Sequence, residues 1–409
     1  MRNRSSTWSA LTSQGNFACQ PKVTIDGVDY DQITAPVVER STGSGPLEIG
    51  NVVVSTLQVD IRASERFDAQ EQITVYARLY DDTRVSEWKR FGVFFIDQQV
   101  YNSNTGIISI TAYDALEKSK DPYCLTQDAS GTWPKTFKKV VEEIAQRIGV
   151  GIDPRVRIPS GNDYYVTDPY VDNFTMYDVL ANIGACLGGN WIMTDEGLLR
   201  LVPLVSTSDN SFAIIDRENR VVIDRTGNTL VWATPESSGE DEVDITTTVR
   251  PGDRPTSYVP IGGSDSAMGG EDGTMHVAAV LGTLNSDGEY GVYRVCLEGR
   301  DSIIYGNSSA ILERKRYHKV IKGRSVYATR AIQQSLEATY RGMLLNPYEA
   351  TSCVYDPCVE PGDQVRFGSI LGTTVLGVLI GDVRTFGISF RGDLRSPSNE
   401  DLRSEYKIR

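Results

Sequence analysis

The sequence predicts a multidomain α+β protein in which strand-rich segments at both ends enclose segments that carry helices. Apolar residues alternate with polar ones from Val53 to Ile61 and again from Ile73 to Leu79, which is typical of strands with one buried face. Between the strand-rich ends, apolar residues recur at helical spacing. The length of 409 residues exceeds one ordinary core, so we expect two to four domains.

The first strand-rich segment covers residues 20–115, where we expect five or more antiparallel strands. A strand at Lys22–Ile25 turns at Asp26-Gly27, and an apolar strand at Phe91–Ile96 is followed by turn residues at Asn102–Gly106. The next strand places Ile108, Ile110 and Ala112 on one face. A small β-barrel or a sandwich would close such a sheet and hide its edges.

The segment 116–205 predicts a compact α/β unit. Pro134 is expected in the first turn of a helix that ends at Gly149, and a second helix is expected to end at Gly188-Gly189. The first helix has one apolar stripe, made of Phe137, Val140, Val141, Ile144, Ala145 and Ile148. The second has its apolar residues at Met176, Leu180, Ile183 and Leu187. A hairpin is expected from Trp191 to Val202, around Asp195-Glu196-Gly197.

The rest of the chain alternates between strands, loops and one further helix. We expect a β-rich stretch at 206–300, a helix at Arg324–Arg341 and strands again at Tyr348–Phe390. Loops are expected at Glu39–Gly50, Pro235–Asp244 and Gly262–Gly273. The polar segment Ser396–Arg409 is expected to be an exposed or partner-bound tail.

Composition excludes several classes of protein. Charged residues at 23% and hydrophobic residues at 40% indicate a globular chain, and no apolar run reaches the ~18 residues of a spanning helix. The N-terminus lacks the apolar core of a signal peptide. A net charge of −13 disfavours broad nucleic-acid binding. The same charge, if it lined a channel, would repel DNA and prevent it from binding to the wall as it passes.

Residue types that carry catalysis are sparse or poorly placed. The two histidines, His276 and His318, are more readily explained by surface or polar contacts than by catalysis. The densest carboxylate cluster is Glu240, Asp241, Glu242 and Asp244, which lies in a Ser/Gly loop and is better explained as solvated than as a catalytic pair or cation site. No zinc-binding, phosphate-binding or nucleophile motif is present, so we expect no catalytic residue, cofactor or metal.

Other short features also have simple explanations. The basic run Arg314–Lys319 suits a phosphate backbone or an acidic partner, but it is more often a solvated face before a helix. Arg391-Gly392-Asp393 is expected at a strand-end turn. Six dispersed cysteines favour buried free thiols, although Cys353 and Cys358 lie close enough in sequence to approach each other.

The segment Glu360-Pro361-Gly362-Asp363 predicts a specific turn. Pro361 fixes φ for the second turn position, and Gly362 allows the positive φ that a type II turn needs at the third. The strand Gln364–Phe367 follows directly. We interpret the segment as architectural, the turn of a β-hairpin.

Taken together, these pieces resemble the baseplate hub, or tail-tip hub, proteins of tailed bacteriophages and contractile injection particles. The matching segments are spread in order along the chain: Trp8–Leu11, Ile49–Val53, Ser86–Trp88, Phe91–Ile96, Thr111–Ala115, Asp121–Tyr123, Asn346–Ala350, Asp356-Pro357, Glu360–Asp363 and Leu394–Pro397. Residues 206–345 match less clearly, and the long C-terminal extensions of some relatives have no counterpart.

The resemblance implies a phage-tail-hub-like α+β architecture with two small antiparallel β-barrels and intervening α/β domains. The expected units are a lead-in at 1–19, a first barrel at 20–115, an α/β domain at 116–205, a second barrel at 206–255 and 346–395, a mixed α/β lower domain at 256–345 and a tail at 396–409. Three subunits would form a pseudo-sixfold ring at the tail tip, around the DNA channel.

The resemblance also implies partners. They are two further copies of the chain, the distal-tail and tail-tube proteins, the tape-measure protein, a central spike, plug or fibre, and DNA in transit only. Assembly is expected in the bacterial cytoplasm. Two other functions stay open: a carboxylate-type cell-wall hydrolase using Glu240, Glu242 and Asp244, and a receptor-binding module using Tyr164, Tyr165 and Tyr170.

Overall fold

The computed structural model describes most of the chain in separate stretches. The described residues are 5–14, 17–41, 48–63, 66–123, 133–159, 163–166, 174–204, 211–213, 230–233, 244–247, 276–286, 290–306, 318–341, 344–369, 374–387 and 391–400. Within them the fold is mixed α+β and mostly sheet.

The described helices are few and short. The α-helices are α1 (Ser6–Gln14), α2 (Phe137–Ile148), α3 (Met176–Leu187) and α4 (Arg330–Tyr340), and short 3-10 helices lie at Ala115–Lys120 and Arg300–Ser302. The strands before α3 are β1 (Ala18–Ile25), β2 (Val28–Tyr30), β3 (Val37–Ser41), β4 (Thr56–Arg62), β5 (Gln72–Tyr80), β6 (Lys89–Asn102), β7 (Ile107–Asp114), β8 (Lys135–Thr136), β9 (Gly151–Ile152) and β10 (Tyr165–Val166).

The strands after α3 complete the list. They are β11 (Gly189–Met193), β12 (Leu198–Pro203), β13 (Ser211–Ala213), β14 (Leu230–Ala233), β15 (Asp244–Thr247), β16 (His276–Val280), β17 (Leu284–Ser286), β18 (Tyr290–Glu298), β19 (Ile304–Tyr305), β20 (His318–Arg324), β21 (Leu344–Val354), β22 (Gln364–Ser369), β23 (Thr374–Val378), β24 (Gly381–Thr385) and β25 (Arg391–Glu400).

The first seven strands form the N-terminal sheet unit. Their antiparallel pairing runs in the order β2–β1–β5–β6–β7–β4–β3. The alternation of apolar and polar residues determines which face of a strand is buried: in β5, Ile73, Val75, Ala77 and Leu79 are all fully buried. The predicted strands in 20–115 and the turn at Asp26-Gly27 are confirmed.

The C-terminal strands form a second unit that continues the same sheet. β22 pairs with β23 and, in parallel, with β16, while β21 pairs with both β16 and β25. β25 also pairs with β24, and β24 pairs with β3 from Val37↔Thr385 to Ser41↔Gly381. The two units also share one hydrophobic cluster, in which Phe91 and Phe386 lie with ring centroids 5.0 Å apart.

The α/β unit has a separate hydrophobic cluster. Helices α2 and α3 pack with the three-stranded sheet β9–β12–β11. The buried stripe of α2 is the predicted one, and Gly149 ends the helix in the left-handed conformation with φ 78°. Residues of β18, β20 and α4 bury their apolar side chains in the same cluster, so residues from 116–205 and from 290–341 share one core.

Two helix starts differ from the prediction. Pro134 does not lie in the first turn of α2, because Lys135 and Thr136 pair with β10 and the Thr136 side chain caps the helix by accepting from Lys139 N. Helix α4 begins at Arg330 rather than Arg324, because Arg324 ends β20 and Thr329 provides the cap. Both caps are threonines, which accept a backbone N–H ahead of the apolar stripe.

Backbone pairing corrects several loop predictions. Glu39–Ser41 belongs to β3 rather than to a loop. Arg391-Gly392-Asp393 lies in β25 rather than at a strand-end turn, and β25 extends through the tail residues 396–400 by pairing with β21. Of the strand expected at the end of Tyr348–Phe390, residues 388–390 lie outside the described residues. Strands β13, β14 and β15 pair with one another in a sheet of their own.

Candidate functional site: a buried ionic cluster

Nine charged residues meet where the two sheet units and the α/β unit come together, and we refer to them as the ionic cluster. The cluster contains Arg40, Asp153, Arg155, Asp195, Arg200, Glu360, Asp363, Asp382 and Arg384. All except Arg155 are buried. They come from β3, the segment after β9, the β11–β12 hairpin, the Glu360–Asp363 turn and β24.

Asp195 is the link between the α/β hairpin and the sheet units. It lies in the turn between β11 and β12, and its two carboxylate oxygens accept from Arg40 Nη1 and from Arg384 Nη1, the latter at 2.8 Å. Its backbone N–H donates to Glu360 Oε1 at 2.8 Å. The hairpin turn is therefore held on three sides by groups from elsewhere in the chain.

Asp382 fixes the two arginines that reach Asp195. It accepts from Arg40 Nε and Nη2, both at 3.1 Å, and from Arg384 Nε. Burial raises the pKa of Asp382 to about 6, while the charge and hydrogen bonds of Arg40 act in the opposite direction. Both arginines also donate to the carbonyl oxygen of Val359. The forked geometry locks both guanidinium planes.

The Glu360–Asp363 segment forms the predicted turn, but not the turn of a β-hairpin, because among the described residues β22 pairs with β16 and β23 and not with the preceding strand β21. Asp363 N–H donates to Glu360 O at 3.0 Å, Glu360 N–H donates to Asp363 Oδ2 at 2.8 Å, and Gly362 has φ 98°. A Cβ added at Gly362 would lie 2.7 Å from Arg200 Nη2. Glycine is therefore required both by the backbone conformation and by the close approach of Arg200.

Arg155 extends the cluster toward the end of β9. It binds Asp153 through Nε at 2.9 Å and Nη2 at 2.7 Å, and the same Nη2 donates to Glu360 Oε2 at 3.1 Å. Burial favours a higher pKa for Asp153, but the hydrogen bond and charge of Arg155 outweigh it and the net pKa is lowered. For Arg155, burial disfavours the charged guanidinium and so favours a lower pKa, yet the hydrogen bond to Asp153 raises the pKa overall.

The arrangement suits a structural joint between three parts of the chain. Removing one member of a buried ion pair leaves an uncompensated buried charge, which typically costs about 3–5 kcal/mol. Arg40, Arg155 and Arg384 each contact carboxylates from at least two separate segments. The cluster therefore specifies how the segments are positioned.

The N-terminal helix is fastened near the same place. Trp8 is fully buried, its Nε1 donates to Asp356 Oδ1 at 3.0 Å, and its ring stacks near Phe91 with centroids 6.2 Å apart. Leu11 is also fully buried. The expected lead-in at 1–19 contains α1, and the bond from Trp8 to Asp356 connects this helix to the segment before the Glu360 turn.

The carboxylates and tyrosines of the two alternative functions are only in part among the described residues. Glu240, Asp241, Glu242 and Tyr170 lie outside them, and Asp244 begins β15. Tyr164 is half-buried and packs edge-on against Phe137 with centroids 5.9 Å apart. Tyr165 lies in β10, opposite Thr136.

The remaining predicted features are strand residues or buried thiols. His276 begins β16 opposite Val365, and His318 begins β20 opposite Gly291, whereas residues 314–317 lie outside the described residues. Cys353 and Cys358 are buried reduced thiols, as predicted, and so are Cys19, Cys186 and Cys296. The described stretches contain no group of three or more potential metal ligands.

Sequence reasoning identified the Glu360–Asp363 turn but missed the arginines around it. Arg40 and Arg384 lie on strands, and their inward orientation depends on the pairing of β3 with β24, which are far apart in the chain. Arg200 offered one signal of a buried charge, since it interrupts the apolar strand Leu198–Val202.

No helix of the described stretches is long and apolar enough to cross a bilayer.

Comparison with known proteins gives structural similarities only. No protein-family model and no curated protein matches the chain. The structure is similar to the tail protein from Neisseria meningitidis MC58, with 11% identity, a TM-score of 0.48, and 93% of this chain and 96% of that chain covered.

Two further solved structures have similar coverage. The 43 kDa tail protein of prophage MuSo2 from Shewanella oneidensis has 10% identity and a TM-score of 0.45, with 92% and 97% covered. The prophage tail protein gp18 from Listeria monocytogenes EGD-e has 11% identity and a TM-score of 0.42, with 93% and 95% covered. All three are described as tail proteins, the class of protein that the sequence resembles.

Proposed function

We propose that the chain is a structural protein of the tail of a phage or phage-like particle, located at the tail tip as a hub. The observation that carries the proposal is the pairing of β3 with β24, which places the N-terminal and C-terminal sheet units of one chain side by side in a continuous sheet. A ring of six similar units that is built from three subunits needs two comparable sheet units in each chain, fixed next to each other.

In this proposal each sheet unit is one small β-barrel of the ring. For the C-terminal unit, the pairings run in the order β23–β22–β16–β21–β25–β24 and supply six consecutive strands for such a barrel. Three copies would provide six barrels. The ring would then adapt a sixfold tail tube to a threefold spike, plug or fibre.

The ionic cluster has a definite role in such a ring. It joins the β11–β12 hairpin of the α/β unit to both sheet units through Asp195, Glu360 and Asp382. A ring that surrounds a DNA channel must keep its lower domains in register with its barrels. Buried charge pairs accept only a narrow range of geometries, so they suit this requirement better than apolar packing alone.

The proposed partners follow from this position. They are two further copies of the chain, the distal-tail and tail-tube proteins above the ring, the tape-measure protein, and a spike, plug or fibre below it. DNA would pass only transiently, along a wall that the net charge of −13 helps to keep non-adhesive. No enzymatic activity is part of the proposal.

Deletion of the gene from the particle that encodes the chain tests the tail role. If the protein is a hub, lysates of the deletion should contain no complete tails, and expression of the intact chain in trans should restore them. Complete tails in the deletion would refute the proposal.

Zymography against cell walls tests the hydrolase alternative. That alternative requires cell-wall hydrolysis by the protein, and the hydrolysis must disappear when Glu240, Glu242 and Asp244 are changed to the corresponding amides.

A further inference from the structure

The N-terminal and C-terminal sheet units repeat the same arrangement of four antiparallel strands. The strands follow in the order β6–β7–β4–β3 in the N-terminal unit and β24–β25–β21–β17 in the C-terminal unit. In each unit the first two strands are consecutive in the chain, and the fourth pairs with the third on the side away from them. The two sets of strands therefore correspond one to one.

The registers of the two sets also agree. One row of directly paired residues crosses each set: Gln98, Thr111, Gln58 and Val37 in the N-terminal unit, and Gly381, Arg395, Glu349 and Asn285 in the C-terminal unit. The agreement extends along the first strand, where residues 98–102 of β6 match residues 381–385 of β24. Val37 on β3 and Asn285 on β17 therefore occupy the same position in the two units.

Only one of the two matching outer edges has a strand beside it. The edge of β24 is covered within the chain, because β3 pairs with it along residues 381–385. The matching edge of β6, at residues 98–102, pairs with no strand among the described residues, since the pairing of β6 with β5 ends at Phe95↔Gln72. In the described part of the chain β17 likewise pairs only with β21. Each copy thus contains both partners of a second junction like that of β3 with β24, and these two partners are not paired with each other.

The open edge of β6 lacks the usual protection against pairing with another chain. Natural sheets protect open edges with charged side chains, above all lysine, and with proline. Residues 98–102 are Gln-Gln-Val-Tyr-Asn and include neither. The side chain of Gln99 bonds to the backbone of Phe67, while Val100 is 70% exposed. On β17, Asn285 is exposed as well. Such an edge suits the addition of a strand from a partner.

We propose that β17 of one copy of this chain pairs with residues 98–102 of β6 in a second copy, in the register that β3 adopts on β24. Asn285 then lies opposite Asn102, and Ser286 lies opposite Tyr101. The contact rests on the proposed hub function and names the surface that joins neighbouring subunits. It places the C-terminal unit of one copy against the N-terminal unit of the next, so the two kinds of unit alternate around a ring of six. Such a heterologous contact continues from copy to copy until the ring closes.

The contact between copies differs from the junction within the chain in its charges. The junction of β3 with β24 contains Arg40, Asp382 and Arg384 of the ionic cluster. The β6 residues that correspond to Asp382 and Arg384 are the uncharged Gln99 and Tyr101. At these positions β6 therefore contributes backbone hydrogen bonds and neutral side chains rather than buried ion pairs. We expect the copies to associate reversibly, whereas the two units of one chain stay joined.

Disulfide cross-linking of the full chain tests both the contact and its register. Directly opposite residues of antiparallel strands have Cα atoms about 4.5–5.5 Å apart, which is within reach of a disulfide. Oxidation of Asn102→Cys/Asn285→Cys should therefore link up to three copies, measured on a non-reducing gel. In a mixture of the two single variants, each linked dimer should contain one copy of either variant, because the two sides of the contact differ.

The matched control is Val100→Cys/Asn285→Cys. It keeps one cysteine and moves the other to an exposed position on the same face of β6, two residues away. Diagonal neighbours lie about 7–8 Å apart, at or beyond the limit for a disulfide, so the cross-linked product should fall about tenfold or more. The wild type, oxidised in the same way, measures any linkage through the native cysteines.

The next opposite pair provides a second linkage at different residues. Within the chain, Phe386 N–H donates to Pro36 O at 3.0 Å, one position beyond the pairs of β3 with β24. The corresponding residues are Ser103 and Leu284, so Ser103→Cys/Leu284→Cys should link copies as well. This pair replaces the first if Asn102→Cys/Asn285→Cys differs from the wild type in circular dichroism or melting temperature.

The outcomes separate this contact from the hub function. The contact is overturned if no cross-link forms in either the purified chain or the assembled tails, if the control register links as strongly, or if Asn102→Cys links mainly to itself. If the gene deletion abolishes tails while no cross-link forms, only the contact fails. If the cross-link forms while the deletion leaves complete tails, the contact stands and the hub function fails.

Discussion

Arg384 donates a hydrogen bond from Nη1 to Asp195 Oδ2 at 2.8 Å, across 189 positions of the sequence. The arginine lies on β24 and the aspartate lies in the turn between β11 and β12, and neither side chain is more than 1% exposed. The pair joins the C-terminal sheet unit to the α/β unit. Arg40 approaches the same carboxylate from β3, so all three parts of the chain converge on one aspartate.

Replacing Arg384 with methionine should strongly destabilise the protein. The substitution keeps an apolar stem of similar length but leaves Asp195 and Asp382 with one guanidinium fewer, a loss of about 3–5 kcal/mol in the free energy of unfolding. Chemical denaturation followed by tryptophan fluorescence measures it. Arg84→Met is the control, because its pair with Asp81 is partly exposed and screened by solvent, so its loss should destabilise the protein far less. Equal effects of the two substitutions would contradict the joint.

Gly362→Ala should cost more than alanine at another glycine with positive φ. Gly362 has φ 98° and a Cβ there would meet Arg200 Nη2 at 2.7 Å, whereas Gly106 has φ 63° and nothing within 4 Å of its Cβ position. We expect about 1 kcal/mol for Gly106→Ala, from backbone strain alone, and about 2–4 kcal/mol for Gly362→Ala. Melting temperatures of the two variants compare the losses, and a smaller loss at Gly362 would disprove the role of the close approach.

Asp114 should give the folded protein a distinct pH dependence. It caps the 3-10 helix, accepting from Leu116 N at 2.9 Å and from Ser55 N at 2.7 Å, and burial raises its pKa to about 6 despite these bonds. Between pH ~4 and ~6 the folded state therefore retains a proton that the unfolded state, with a pKa of ~3.9, has released. Stability from this group falls as pH rises through that window, by about 2–3 kcal/mol.

Asp114→Asn isolates that contribution. The amide does not titrate, so the stability of the wild type minus that of the variant should decrease from pH ~4 to pH ~7. A difference that is constant over this range would contradict the raised pKa. At every pH the amide N–H₂ also faces one of the two backbone N–H donors. Because asparagine keeps only one of the two acceptor oxygens of Asp114, the variant should also lose some stability that does not depend on pH.

Trp8→Phe should loosen the N-terminal helix while keeping its packing. Phenylalanine retains the ring contact with Phe91 but removes the donor to Asp356 Oδ1, which costs about 1–2 kcal/mol. Limited proteolysis should then cut α1 faster than in the wild type. Thr12→Ala is the control, because the Thr12 hydroxyl bonds to carbonyls of its own helix. Unchanged cleavage of Trp8→Phe would show that the indole bond is not needed to hold the helix.

Local patterns in the sequence predicted much of the fold. Alternation gave the strands of residues 20–115, and helical spacing gave the stripe of α2, because both depend on neighbours within a few residues. The Pro361-Gly362 pair gave the turn for the same reason. Helix starts were less accurate, since Thr136 and Thr329 cap helices after extended residues that the apolar pattern does not mark.

The ionic cluster itself could not be predicted from local pattern. Arg40, Asp195 and Arg384 meet only because β3 pairs with β24 and the β11–β12 hairpin packs beside them. Each residue alone is an ordinary charged residue in a strand or turn. Long-range pairing of this kind has no signature in a single sequence, whereas the segments that resemble tail-tip hub proteins pointed to the class of architecture.

Imaging of the assembled particle tests the hub proposal most directly. A small tag that binds gold, placed on this chain in the particle that encodes it, should locate the protein by electron microscopy. We expect label at the tip of each tail, the end away from the head, and averaged images with three copies around the axis. Label along the tail, label at the head, or particles that lack the protein would contradict the proposal.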